Sequence, residues 1–293
     1  MKKSGTIRLY KNKSKVFISV NLNRKAVIPC AEKLILLLRE YKITVFMDIA
    51  AREIFSESEA EFLTAEKGFA AADMIFVIGG DGTILRAAKS ALVYDKPILG
   101  INAGRLGFLS DIEADDLSVI KKLFERSCPI EKRSVLLVTV GEKSAYAIND
   151  VFVTYNEPGK TAELFVKCGE HEVRRYRADG IVIATPDGST AYSMSAGGPI
   201  IDTTLDAIVM TPVCPHSLIS RSIVFSSDKT ISIGSSFNGD EENVDVIVDG
   251  EKTFSIKKGG RAYAKVSEKY VKFINLSGRR FYEVLNQKII GRI

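Results

Sequence analysis

Apolar and polar positions along the first 130 residues alternate between two periods. "KVFISVNL", "ITVFMD", "MIFVIGG" and "KPILGIN" are short, largely β-branched or aromatic runs, the composition of strands buried on both faces. Between them, "RKAVIPCAEKLILLLREY", "FLTAEKGFAAA" and the stretch after Asp81 repeat apolar residues at helical spacing, as with Ile84, Leu85, Ala88 and Leu92. Strand and helix in alternation predict a parallel sheet covered by helices. From about Arg133 the texture changes to short strand-like runs separated by turn residues, among them "SVLLVTV", "SAYAINDVFVTY", "AELFVKC", "HEVRRYRADGIVIATP", "SIVFSS", "TISIG", "VDVIVDG", "TFSIKKG" and "RAYAKVSE". That spacing predicts an antiparallel, sandwich-like arrangement. The closing "SGRRFYEVLNQKIIGRI" turns helical again. The expected fold class is therefore α/β plus β. A doubly wound α/β domain spans residues 1–132, a β-rich domain 133–274, and a helix at 275–293 returns to the first domain.

The 293 residues are enough for one large or two medium cores, and a hydrophobic fraction of 46% with 26% charged residues is that of a soluble globular protein. No apolar run approaches the roughly 20 residues that span a bilayer, and the N-terminus lacks the apolar stretch of a signal peptide. A cytoplasmic protein without a membrane partner is expected. The net charge of +5 has one source: the first 15 residues hold six Lys and Arg and no acid, leaving 35 basic and 36 acidic groups elsewhere. The body is not a basic surface, so nucleic acid is not an expected partner, and the basic tail reads as a solvated arm. Cys30, Cys128, Cys168 and Cys214 are scattered and only His171 and His216 accompany them, so free thiols are expected rather than zinc or a disulfide framework.

The chemistry concentrates in four places. Gly79-Gly80-Asp81-Gly82 joins a strand to a helix, and such a glycine-rich turn at a helix N-terminus presents unpaired N–H groups to phosphate. Asp81 is unexpected there, since a carboxylate repels the anion that the loop attracts. It either caps the helix or handles a proton or a metal. "AINDVFVTY" sets Asn149 and Asp150 inside a strand pattern. "RADGIVIATPDGSTAYSMSAGGPI" packs Asp179, Thr185, Asp187, Ser189, Thr190, Tyr192, Ser193 and Ser195 into seventeen residues, a supply of hydrogen-bonding groups suited to sugar hydroxyls or phosphates. "TPVCPHSLISRSIVF" reads as an apolar-flanked loop carrying His216 and Arg221. Taken singly, each has a bland alternative as turn, bulge or satisfied buried histidine. Together they point to phosphoryl transfer without naming the acceptor.

In chain order, "GGDGTILRAA", "GINAGRLGFLSD", "NDVFV", "RADGIVIATPDGSTAYSMSAGGPI" and "TPVCPHSLISRSIV" resemble the signature blocks of bacterial-type ATP-dependent NAD kinases. The resemblance runs from about Ile75 to Ile223, and the "FYEVL" helix also fits. The GGDG element alone is shared with diacylglycerol and sphingosine kinases and phosphofructokinases; the long TPDGSTAY block is far more specific. The resemblance implies an α/β domain followed by a β-sandwich-like domain with the active site between them. It also implies phosphorylation of the adenosine ribose 2′-hydroxyl of NAD by ATP with Mg2+ or another divalent cation, and a homodimer or homotetramer. By the same resemblance Asp81 accepts the proton, with Gly79, Gly80 and Gly82 in the loop beside it. Phe108 lines the adenine pocket and Asn149 and Asp150 hold ribose hydroxyls. Thr190, Ala191, Tyr192, Ser193, Met194 and Ser195 surround adenine and the nicotinamide side. Asp179 reaches the nicotinamide end, often from a neighbouring subunit, and Arg86, Lys160, Arg177 and Cys214 approach the ligand. No protein residue is expected to form a dedicated metal site. Two positions depart from the family pattern: Asp150 stands where Glu is common, and Asp187 where a neutral residue such as Thr is frequent. The alternatives are a GGDG-type lipid kinase, for which there is no amphipathic anchor or lipidation signal, and a non-catalytic NAD-sensing regulator, for which Asp81 would be superfluous.

Overall fold

A computed structural model describes residues 5–104, 107–155, 162–217, 219–235, 244–257, 259–278 and 281–289. The chain divides into two compact units, one of residues 1–133 with 271–293, the other of residues 134–270. The strand Arg261–Ile274 thus begins in the second unit and ends in the first.

In the first unit the parallel strands lie in the order Pro97–Asn102, Met74–Gly79, Lys15–Val20, Thr44–Asp48, Glu61–Leu63. The chain therefore builds outward from Lys15–Val20 in one direction, then crosses back to build Met74–Gly79 and Pro97–Asn102 on its other side. That reversal opens a crevice at the carboxyl ends of Lys15–Val20 and Met74–Gly79, the place where open α/β sheets bind ligands. Every residue of Met74–Gly79 and Pro97–Asn102 is buried, which accounts for their unbroken apolar runs. Helix Val27–Glu40 turns Val27, Cys30, Ala31, Leu34, Ile35 and Leu38 inward, and helix Asp81–Val93 buries Ile84, Ala87, Ala88, Ala91 and Leu92. "FLTAEKGFAAA" is shared between two elements rather than forming one helix: Phe62 and Leu63 end a strand, and the helix Ala65–Ala71 follows Thr64.

The basic N-terminal segment is not a solvated arm where the structure describes it. Thr6 and Ile7 pair antiparallel with Pro129 and Cys128, the Leu9 N–H donates to the Leu123 carbonyl at 2.8 Å, and Leu9 is 2% exposed within the core of this unit. A single buried leucine contributes about 1.5–3 kcal/mol, enough to dock a segment whose Lys11 and Lys13 stay exposed.

The second unit holds two antiparallel sheets. One runs Ile223–Ser226, Ala207–Val213, Gly180–Ala184, Asp150–Tyr155, Val244–Val248, Glu251–Ile256; the other includes His171–Ala178, Ala162–Cys168, Thr230–Ser235 and the start of Arg261–Ile274. Alternate residues of both sheets, among them Val151 and Val153, Leu164 and Val166, Ile181 and Ile183, Ile231 and Ile233, form one core. The opposite face of the first sheet is also covered, with Val182, Ala184 and Val209 packed against Ile201 and Ala196. "HEVRRYRADGIVIATP" is two strands broken at Asp179, and Thr211 to Val213 end a fully buried strand instead of opening a loop. Pro212 is tolerated because it pairs with Ile181 on one side, while the neighbouring strand on the other has already ended at the Met210–Ile223 pair.

Candidate functional site

In the first unit the glycine loop lies at the sheet's crevice. Gly79 ends its strand, Gly80 caps the following helix in an extended conformation, and Asp81 and Gly82 open that helix. Gly79 has no room for a side chain, since a Cβ would stand 2.7 Å from the Cβ of Thr83. The Asp81 side chain folds back over the next loop: Oδ2 accepts the Phe108 N–H at 3.0 Å and Oδ1 the Leu109 N–H at 3.1 Å. Gly107 permits this approach, because a Cβ there would collide with the Asp81 carboxylate. A third donor arrives from the final helix, Phe281–Ile289, whose Lys288 Nζ stands 3.2 Å from Asp81 Oδ2 and 3.9 Å from the centroid of the Phe108 ring. The carboxylate is 36% exposed, so it borders solvent while all three donors hold it.

Two further groups of this unit reach the loop. The Asn21 amide donates to Thr83 Oγ1 at 3.4 Å, and the Arg24 guanidinium stands beside Gly80 and Gly104, about where side chains on those glycines would point. Arg86 is exposed on the helix that Asp81 opens. Sequence reasoning missed Arg24 and Lys288. Arg24 follows the strand at the switch point, and a strand order would have exposed it. Lys288 lies three, four and seven residues beyond Leu285, Val284 and Phe281, on the helix face that Val284 buries, where a charged residue is out of place.

In the second unit a different set is assembled. Asn149 sits in a bend just before the strand Asp150–Tyr155, not within a strand. Asp249, at a hairpin tip with positive φ, accepts the N–H groups of Ile148, Asn149 and Asp150 at 3.0, 2.8 and 3.2 Å. From the other side the Thr185 hydroxyl donates to the Ile148 carbonyl at 2.7 Å and receives the Gly188 N–H at 3.0 Å. Gly188 lies so close to the Asn149 backbone that any side chain would strike its carbonyl. Thr185 and Asp249 thus shape the Asn149 bend, and neither role follows from turn composition alone. Asp150, 6% exposed, is pushed up to about 7 by burial and then by the neighbouring Asp249 charge, with a hydrogen bond from the Tyr192 backbone opposing them.

Thr190 and Ala191 link the short helical turns Asp187–Thr190 and Tyr192–Ser195. Tyr192, Met194 and Ser195 are exposed, and the Tyr192 ring meets Phe152 edge-on at 5.0 Å. Ser193 is fully buried, its hydroxyl 2.9 Å from that of Thr211, so it braces the turn from beneath. Burial and the nearby Cys214, Asp179 and Asp150 raise the Tyr192 phenol, which places these four groups in one neighbourhood. Cys214 is exposed with positive φ, and its thiol is raised chiefly by its hydrogen bond to Asp179. Arg177 is exposed on the strand leading to Asp179, and its carbonyl accepts the His216 N–H at 2.9 Å. Lys160 lies outside the described residues. No helix among the described residues is long and apolar enough to cross a membrane.

A glycine loop at a topological switch point, opening a helix whose first residue is a donor-held carboxylate, defines a phosphate-handling α/β protein. Comparison with known proteins narrows the class. Residues 16–127 match the ATP-NAD kinase N-terminal domain and residues 148–276 the ATP-NAD kinase C-terminal domain. The NAD kinase of Natranaerobius thermophilus is 34% identical over 277 residues, covering 92% of this chain and 96% of that protein. The NAD kinase of Caldicellulosiruptor bescii is 41% identical over 218 residues, 74% of this chain and 82% of that one. Among solved structures, yeast NADH kinase complexed with NADH superposes with a TM-score of 0.85 at 23% identity, covering 97% of this chain and 88% of that one. An NAD kinase from Archaeoglobus fulgidus in complex with ATP gives 0.74 at 24% identity, over 93% and 98%. The chain belongs to the ATP-NAD kinase family. A lipid kinase and a non-catalytic sensor draw no support from these matches.

Proposed function

We propose that this protein transfers the γ-phosphoryl group of ATP to the 2′-hydroxyl of the adenosine ribose of NAD, giving NADP, with Asp81 at the reacting hydroxyl. The reaction rests on family membership, and the placement of Asp81 rests on its position at the first residue of the helix that opens the glycine loop. Phosphoryl transfer passes through a loose transition state, so the protein's task is alignment and charge neutralisation more than strong base catalysis. The free N–H groups of the helix start favour phosphate, and Arg24 beside Gly80 adds a cation to the same loop. Asp81 orients the hydroxyl and takes its proton late.

Mg2+ would enter coordinated by the triphosphate oxygens of ATP. Such an ion would be held chiefly by phosphate oxygens and waters, leaving Asp81 to the reacting hydroxyl. When bound, it offsets phosphate charge. Phe108 lines the adenine pocket, Asn149 and Asp150 hold ribose hydroxyls, and Thr190, Ala191, Tyr192, Met194 and Ser195 line the nucleotide, with Ser193 bracing their turn. Arg86, Lys160, Arg177 and Cys214 complete the surroundings. The exposed Asp179 serves the nicotinamide end of a neighbouring subunit, so the working form is a homodimer or homotetramer in the cytoplasm.

The deciding experiment incubates the purified protein with Mg-ATP and NAD and assays NADP; a folded protein that forms none overturns the reading. If Asp179 acts across subunits, specific activity falls on dilution below the assembly constant. Constant specific activity in a protein shown to be monomeric would refute that part alone.

A further inference from the structure

Asp81 places a negative charge at the start of a loop built for anions, and the structure contains a counterweight. We infer that Lys288, from the final helix, is a positioning residue for the kinase reaction: it cancels the Asp81 charge so that the triphosphate of ATP can settle on the loop. Its ammonium stands 3.2 Å from Asp81 Oδ2 and 3.9 Å from the centre of the Phe108 ring. The Asp81 and Lys288 side chains are 36% and 21% exposed, so their charges are only partly screened by water.

The helix that carries Lys288 is held on two sides within the same unit. Asp111 accepts the Leu276 N–H at 2.7 Å and the Ser277 hydroxyl at 2.7 Å, fixing the chain just before the helix. At the helix start Phe281 packs at 6.3 Å from Phe108, and Val284 is 7% exposed. Phe281, Val284 and Leu285 therefore aim the same helix face, and Lys288 with it, at the Asp81 loop. A lysine on an apolar stripe loses rotamer freedom and hydration; the recovery here comes from a carboxylate on one side and a ring face on the other. Without Lys288, a triphosphate approaching the loop meets an uncompensated carboxylate. The reacting hydroxyl then meets an Asp81 held, among the described residues, by the two N–H groups of Phe108 and Leu109. The inference rests on the loop at residues 79–83 being the phosphate loop proposed above.

The test is a double-mutant cycle of Lys288→Met and Asp81→Asn, read as the affinity for Mg2+ with the non-hydrolysable β,γ-imido analogue of ATP and accompanied by melting temperatures. In the Asp81 background Lys288→Met should weaken binding about tenfold, the order expected from exposing one unit charge to a polyanion at short range. In the Asp81→Asn background the same change should cost less than about threefold, because no charge is left to offset. Lys288→Arg should keep most of the affinity. Should Met unfold the helix, Lys288→Gln, which keeps a polar tip without charge, takes its place in the cycle. Equal losses in both backgrounds, or no loss in either while Asp81→Asn alone tightens binding, would overturn the role of Lys288 and leave the phosphate loop standing. If neither residue moves nucleotide affinity, the phosphate-loop reading fails as well.

Discussion

Asp81 in the first unit accepts two backbone N–H groups and an ammonium, whereas Asp150 in the second receives one N–H, from Tyr192, and faces another carboxylate, Asp249. Asp249 itself accepts the N–H groups of Ile148, Asn149 and Asp150. One aspartate is thus surrounded by donors, two N–H groups and an ammonium. The other is buried and held back from ionising until about pH 7. The same side chain is given two jobs by the donors, charges and burial that surround it. Each loop also depends on a glycine for close approach, but with different neighbours: Gly107 makes room for a carboxylate that can rotate, Gly188 for a backbone carbonyl that cannot.

The comparison is broken most directly by Asp81→Asn. A positioned general base contributes about 10²–10⁴-fold, so turnover should fall by at least about a hundredfold while the protein stays folded and binds NAD. Near-normal turnover would reduce Asp81 to a tie between helix and loop. Asp150→Asn should act in the opposite sense on stability. Between the ordinary carboxyl value of 3.8 and about 7, the folded state holds a proton that the unfolded state has released. The native carboxyl therefore costs stability progressively as pH rises through that window, and the full cost is present above it. At pH 8 the Asn variant should be more stable by about 2–4 kcal/mol, and by under about 1 kcal/mol near pH 4. Thermal melts of both proteins across this range decide it; a pH-independent difference would contradict the buried ionisation.

Gly188→Ala should destabilise by about 1–3 kcal/mol, because the Asn149 carbonyl cannot yield. Gly107→Ala should leave the melting temperature nearly unchanged and lower turnover by displacing the Asp81 carboxylate. Equal thermal losses for the two would erase the distinction drawn between the loops. The smallest effect expected is in substrate binding. If Asp150 holds ribose hydroxyls as a carboxylate, the KM for NAD should drop about three- to tenfold from pH 6 to pH 8 as the residue ionises, a trend absent from Asp150→Asn.

The elements of both units could be read in the chain wherever burial is two-sided or strictly alternating. "MIFVIGG" and "VDVIVDG" are strands because every second residue, or every residue, lies against a core. The reading faltered where a single run held two elements, as at Phe62 and Leu63 or at Asp179, and where one apolar residue outweighed a basic background, as at Leu9. The glycine loop and the Asn149-Asp150 pair stood out because their residue types contradict the strands beside them. Arg24 and Asp249 did not, since each is an ordinary residue in its local context; Thr185 stood out only as one of many hydrogen-bonding groups, and the charge of Lys288 on an apolar helix face was the one signal left unused.

Local composition and periodicity, which depend on neighbours within a few residues, were enough to determine the alternating α/β half, the β-rich half, the phosphate-type turn and the carboxylate in it. The strand order that puts Arg24 beside Gly80, the hairpin tip that spends Asp249 on the Asn149 bend, and the final helix that sets Lys288 against Asp81 were decided by tertiary structure alone. These contacts join residues about 50 to 200 positions apart, and their strength comes from burial and from charges brought within a few ångströms. Neither exists until the chain has folded.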